Sequence, residues 1–493
     1  MHRIGMPVNG YLNFFYEVKS LDQTVLNRLI KGFGANIYGQ AVTILIQLVG
    51  VPVFLHAWGA QLYGEWLILF AIPAYLSMTD LGFSQSAAND MTNLVARGER
   101  EKSLQVFQSL IVLVLIASAC MAVIVSLFIF LLPLDNWLHP VKMTSVQLRW
   151  TLWLLAITVL VQLPDGIAHA GFRANGEYAL HFSLYSSTRL MQFASLCLTA
   201  LAGGGPVQAA AAFCGIRALA TFLFTFLLLR RHPWLDYGIR QASFAEFRRL
   251  FRPAMANLAI PLSFGLNIQG MVIAVGAVLG PLAVVNFSTL RTLTRFPLQL
   301  AFSVSNAAEP ELAAAFGQGE KKLSASLFVN TLSTGLWLSL LSGGFLALFG
   351  DSILAVWTQG KVPMHTVLFY FLIASSIASV LWYAGLICLK AANLHARAAL
   401  IFAISSAASV AIAVAFMSWT GRLGGAGVAL LVTDSLISVY ILCAACRLIG
   451  TRLTRTLLNM LRPPTFVRSY LAILLGKPTS ALHRTHKCKV GEK

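Results

Sequence analysis

The chain is a succession of long apolar runs, many of them about 18 residues or more with almost no charge inside. A run of that length, coiled as a helix, matches a hydrocarbon core about 30 Å thick. A bilayer core offers no water to backbone N–H and C=O groups, so a crossing segment must satisfy them internally. The runs do not alternate apolar with polar residues, which selects helices over strands. Composition points the same way: 57% of the 493 residues are hydrophobic, 11% are charged, and the mean hydropathy is +0.74. A soluble domain carries roughly a quarter of its residues charged. An all-α membrane protein is expected.

About twelve spans are predicted, near 34–57, 62–83, 104–132, 148–170, 181–203, 207–229, 253–276, 284–308, 324–349, 364–388, 399–418 and 424–446. The second and eighth should continue as helices past the bilayer, to about Val95 and Phe316. The gaps are too short for a separate soluble domain. The expected organisation is a cytoplasmic segment 1–33, an N-lobe 34–229, a cytoplasmic linker 230–252, a C-lobe 253–446 and a basic cytoplasmic tail 447–493.

Orientation follows from the 36 lysines and arginines, which outnumber the 18 acids. Most fall on the side of the N-terminus, in clusters such as Arg230–Arg231, Arg248–Arg249 and the tail; the other side holds only Lys142, Arg149, Lys361 and Arg422. Positive residues accumulate on the cytoplasmic side, so both termini are expected there and the number of spans is even. The net charge of +18 is then a topology signal, and no nucleic acid is implied. The stretches Ser243–Arg252 and Thr451–Gly476 set apolar residues against arginines. They suit the anionic inner leaflet, or equally an ordinary solvated loop and tail.

Seven cysteines, an odd number mostly in or beside apolar runs, give no disulfide framework. Cys443 and Cys446 form a lone C-x-x-C at a helix end, so neither metal nor cofactor is expected. The first 30 or so residues are polar and mixed, and no cleavable leader is expected. The longest external loops, 133–147 and 350–363, do not gather acid, base and nucleophile, and no G-x-x-x-x-G-K-[ST] loop occurs. Enzymatic activity is not expected.

The two halves echo one another. One constant spacing relates Gly59 to Gly280, Gly98 to Gly319, Glu99 to Glu320 and Ser103 to Ser324. A slightly shorter one relates Ala174-Asn175 to Ala392-Asn393, and glycine-rich turns at Gly203–Gly205 and Gly421–Gly427 precede the last span of each half. Six spans per half give two lobes related by a parallel repeat, which in transporters places the substrate path between them.

The same turns carry a resemblance. L62-Y-G-E-W66 leading to T79-D-L-G82, G171-F-R-A-N-G-E-Y178, E309-P-E-L-A-A-A-F-G-Q-G-E-K-K322 and D351-S-I-L-A-V-W357 occur in order over roughly residues 30–447. This set resembles the Wzx polysaccharide flippases of the multidrug/oligosaccharidyl-lipid/polysaccharide exporter superfamily. The resemblance implies a two-lobed bundle of twelve helices working by alternating access in the bacterial inner membrane. It implies as cargo an undecaprenyl-pyrophosphate-linked oligosaccharide for surface polysaccharide such as O-antigen or exopolysaccharide. Membrane lipids, a polysaccharide polymerase and chain-length proteins are the implied partners. Lipid II flippases of the same superfamily usually carry two further C-terminal helices; here only about eleven apolar-rich residues lie between Phe466 and Gly476, too few to span.

Four arginines sit inside predicted spans: Arg189 in the fifth, Arg217 in the sixth, Arg291 and Arg295 in the eighth. Each costs roughly 2.5–3.5 kcal/mol to insert at mid-span. Arg295 lies roughly 16 Å along its span at about 1.5 Å per residue, close to the midplane, and Arg291 shares its helix face. Guanidinium matches phosphate with paired hydrogen bonds, so a cationic cavity of these four suits a pyrophosphate. The bland reading pairs them with Asp80, Asp165, Asp434 or Glu65 to hold helices together. Those three aspartates are also the candidates for cation coupling, with helix-helix roles as the alternative. Asn36, Gln40 and Gln47 share one face of the first span and suit either sugar hydroxyls or helix contacts. His56, His139 and His169 fit interfacial or structural positions. Moving a negative head group out of a negative-inside cell is downhill by about 2.3 kcal/mol per charge per 100 mV. The competing reading, a cation-coupled drug exporter, favours carboxylates and an acid in the first span, where this chain has none.

Overall fold

The computed structural model describes residues 23–74, 81–138, 140–246, 248–249 and 261–464. Asp80, His139 and most of the tail lie outside the described residues. The helices are α1 Gln23–Ala57, α2 Gly59–Ala74, α3 Leu81–Ala96, α4 Arg100–Leu131, the short α5 Leu134–Leu138, α6 Ser145–Gln162, α7 Asp165–Ala174, α8 Tyr178–Leu201 and α9 Pro206–Arg231. They continue as α10 Pro261–Leu279, α11 Pro281–Thr294, α12 Phe296–Gly317, α13 Lys321–Thr358, α14 Thr366–Ala391, α15 Ala396–Thr420, α16 Gly424–Ile449 and the short α17 Leu453–Met460.

These make twelve passages, because the second is α2 with α3, the fourth is α6 with α7, and the eighth is α11 with α12. The extended ends come where the sequence places them, at Ala96 and Gly317. Among the described residues nine passages are long and apolar enough by themselves to cross a membrane. The other three carry polar side chains: α3 has Gln85, Asn89 and Asp90, α8 has His181, Arg189 and Gln192, and α11–α12 has the two arginines. The chain is a multi-pass membrane protein. Leu127, Leu348 and Val356 stand out from their helices, an arrangement suited to lipid, which is as apolar as a protein core.

The breaks have local causes. Pro164 cannot donate to the preceding turn, so the fourth passage divides into α6 and α7 with Asp165 opening the second piece. Pro297 does the same to the eighth, and Arg295 is the junction residue. A π-turn, Leu266–Gly270, lies within α10.

The chain divides into two compact units, Met1–Pro261 and Leu262–Lys493. Each contains six passages with one pattern of neighbours: first on fifth, second on third and fourth, fourth on sixth, fifth on sixth. The parallel repeat is therefore structural. The exits of the second passages close alike, with Glu99 N–H donating to the Leu94 carbonyl (2.9 Å) and Glu320 N–H to that of Ala315 (3.0 Å). Gly98 and Gly319 supply the left-handed residue, φ 79° and 73°, that this closure needs. After the fourth and tenth passages the left-handed residues are Gly176 (φ 77°) and Asn393 (φ 57°). This shifts the sequence match of Asn175 with Asn393 by one position. The spacing that relates Gly176 to Asn393 also relates Arg217 to Asp434.

Candidate functional site

In the first unit a buried charge pair ties α7 to α9. Arg217 Nη1 lies 2.5 Å from Asp165 Oδ2, with side chains 2% and 5% exposed. Thr221 Oγ1 donates to Asp165 Oδ1 at 2.6 Å, and Arg217 Nη2 donates to Gln192 Oε1 at 3.0 Å. The guanidinium also stands 5.3 Å over the Tyr185 ring. Both carboxylate oxygens and two guanidinium nitrogens are thus engaged, which offsets the desolvation of the two ions.

In the second unit the charges are differently balanced. Arg291, 8% exposed, donates Nη1 to the Asn267 carbonyl (3.0 Å) and Nη2 to Asn267 Oδ1 (2.6 Å). Asn267 lies in the π-turn of α10, a local departure from the α ladder of a kind frequent at functional sites. Arg291 also sits 5.4 Å over the Phe287 ring. Asp434 of α16 accepts from Ser375 Oγ of α14 at 2.5 Å. It lies within electrostatic reach of both arginines, yet no ion pair within 4.0 Å joins it to either among the described residues. Arg295, half-buried at the junction of α11 and α12, makes no side-chain hydrogen bond or ion pair among them.

These groups share one small cavity with Phe264 and Trp382, about 30 Å³ in volume, room for one or two waters. Its charged lining is two arginines against one aspartate, a net positive site. A π-turn, a proline break and a hydroxyl-rich stretch of α14 (Ser375, Ser376, Ser379) converge on it. Its charge favours an anion over a cation, and Arg291 is anchored to Asn267.

The remaining predicted residues are dispersed. Arg189 donates to Thr43 Oγ1 at 3.2 Å, linking α8 to α1. Asn36 is exposed and donates back to the Gly32 carbonyl at 2.9 Å; Gln40 is exposed and Gln47 half-buried. Glu65 partners no arginine: its carboxylate accepts the backbone N–H groups of Val141, Lys142 and Met143 at 2.7–2.9 Å and ties down the loop before α6. His169 pairs with His181, Nδ1 to Nδ1 at 3.3 Å, against a large cavity of the first unit. Sequence reading missed that cavity, although its signal is present as aromatic residues repeating at helical spacing at the start of α8.

An inward-facing multidrug resistance MATE family transporter of the MOP superfamily superposes with TM-score 0.68 over 85% of this chain and 96% of its own, at 13% identity. The fold is that of the MOP-superfamily transporters. The lipid II flippase MurJ, in an inward closed conformation, matches with TM-score 0.68 over 92% of this chain and 93% of its own, at 14% identity. A MOP superfamily transporter from Pyrococcus furiosus, whose binding pocket of reversed polarity suggests a different function, matches at TM-score 0.57 and 14% identity, over 86% of this chain and 95% of its own. No protein-family model matches the sequence, and no curated protein matches it.

Proposed function

We propose that this chain is a Wzx-like flippase. It moves an undecaprenyl-pyrophosphate-linked oligosaccharide from the cytoplasmic to the periplasmic leaflet of the bacterial inner membrane by alternating access, with both termini cytoplasmic. The observation that carries this reading is the excess cation of the second unit: two arginines face one aspartate, and the Arg295 side chain makes no hydrogen bond or ion pair among the described residues. An arginine held without a counter-ion in a spanning helix is costly. A diphosphate would supply the missing negative charge through charge-assisted hydrogen bonds. In this reading Arg295 is the primary contact and Arg291 supports it. Arg189 is a secondary contact, while Arg217, engaged by Asp165, acts on structure. The ordered turn motifs from Leu62 to Trp357 support the Wzx type within the fold, and the polymerase and chain-length proteins are the partners it would hand product to.

Reconstitution into vesicles tests the reading. Lipid-linked oligosaccharide loaded in one leaflet should become accessible to a membrane-impermeant lectin in the other, and Arg295→Gln should slow this at least about tenfold. Ion-gradient-dependent movement of an organic cation, with no movement of the lipid-linked sugar, would establish the drug-exporter alternative and make Asp434 the residue to mutate next.

A further inference from the structure

We propose that the first unit carries a saccharide subsite, a cavity of about 690 Å³ between an aromatic stripe of α8 and a polar stripe of α6–α7. It would take sugar units of the cargo proposed above, and in that sense it rests on that reading. The volume lies within the roughly 300–1,000 Å³ of small-ligand pockets, with space for more than one pyranose ring.

The stripe on α8 is Tyr178, His181, Phe182 and Tyr185, whose spacing of three, four and seven residues puts them on one helix face. Tyr178 and Phe182 stack at 5.6 Å and 24°. Opposite them Gln162 ends α6, and Asp165, His169 and Arg173 follow at four-residue steps along α7. Several of these polar groups have bonding capacity to spare. Gln162 Nε2 donates to the Tyr185 hydroxyl at 3.4 Å, which leaves the amide oxygen to accept and the phenol hydrogen to donate. Arg173 is half-buried, and its side chain makes no hydrogen bond or ion pair among the described residues. His181 is 5% exposed, and its buried Nε2 has no hydrogen-bond partner among the described residues.

Three ligand chemistries can be compared on this wall. A lipophilic cation would stack on the same rings, but the oxygens of Asp165 are held by Arg217 and Thr221, and the charge left over belongs to Arg173, which repels it. An alkyl chain would strip water from the glutamine, arginine and histidine groups and return no hydrogen bonds. A pyranose ring has an apolar C–H face and a hydroxyl perimeter. The first suits the electron-rich face of an aromatic ring, and the second suits the amide, phenol and guanidinium edge. Arg173 adds a preference for a ring bearing a carboxylate.

Saturation-transfer NMR on the full chain in lipid nanodiscs tests this, with free glucose, galactose, N-acetylglucosamine and glucuronic acid as probes. Wild type should transfer saturation to at least one probe, most strongly to glucuronic acid. Tyr185→Leu and the rim variant Tyr178→Leu should each weaken transfer about tenfold. Tyr185→Phe should retain most of it. No transfer to any probe in wild type, or equal transfer in folded Tyr178→Leu and Tyr185→Leu proteins, overturns the subsite. Binding of undecaprenyl diphosphate is measured on the same samples. If the carrier binds and no sugar does, the subsite falls while the flippase reading stands. If sugars bind and the carrier does not, the subsite stands and the lipid-linked cargo falls.

Discussion

Arg217 in the first unit and Arg291 with Arg295 in the second are the same kind of residue in the same kind of place, and the protein treats them in opposite ways. Arg217 is closed off: an aspartate, a glutamine and a tyrosine ring surround it, and its side chain is 2% exposed. Arg295 is left half-buried with no side-chain hydrogen bond or ion pair among the described residues, beside an Arg291 whose bonds go to a neutral asparagine. The last passage of each unit shows the same inversion, since α9 contributes the cation Arg217 and α16 the anion Asp434. In the first unit the fourth passage supplies the counter-charge; in the second the tenth supplies neutral groups such as the hydroxyl of Ser375. Charge balance, rather than the mere presence of an intramembrane arginine, separates a helix tie from the binding site proposed above.

The sharpest way to break this comparison is to unbalance the balanced pair. Asp165→Ala leaves Arg217 buried without its anion and should cost about 3–5 kcal/mol, read as a large fall in thermal midpoint in detergent. Replacing both with leucine should recover most of that loss; failure to recover would mean the pair does more than offset itself. Arg291→Gln should cost about 1.5–3 kcal/mol, because two charge-assisted bonds to Asn267 weaken together. Arg295→Gln should move the midpoint by less than about 1 kcal/mol equivalent, since no protein bond is lost, while carrier binding drops at least about tenfold. Equal stability losses from Arg291→Gln and Arg295→Gln would dissolve the distinction between anchor and contact. The smallest effects belong to the paired turns: Gly176→Ala should destabilise by about 1 kcal/mol and Asn393→Gly should stabilise by a few tenths, both at left-handed positions.

Much of the fold was legible because each membrane helix is a locally solved problem. A spanning segment must close its own backbone hydrogen bonds, so its length and apolarity declare it without reference to its neighbours. Hence the twelve passages, the helical ends at Ala96 and Gly317, and the repeat carried by Gly98 and Gly319 could be read directly. The breaks were half-legible. Pro164 and Pro297 are plain in the sequence, whereas the π-turn at Leu266–Gly270 has no such mark.

The site was less legible, for reasons of distance along the chain. Whether an arginine is engaged depends on what a different helix brings opposite it: Asp165 lies 52 residues from Arg217, and Asn267 lies 24 from Arg291. Glu65 looks like an arginine partner by charge and turns out to clamp three backbone N–H groups 76 to 78 residues away. The sequence by itself determined that the chain crosses a membrane many times, in two similar halves, and that it places four arginines inside predicted spans. Only tertiary structure decided which of those cations is neutralised and which is left over, because pairing is a property of facing helices and periodicity along one helix is blind to what packs against it.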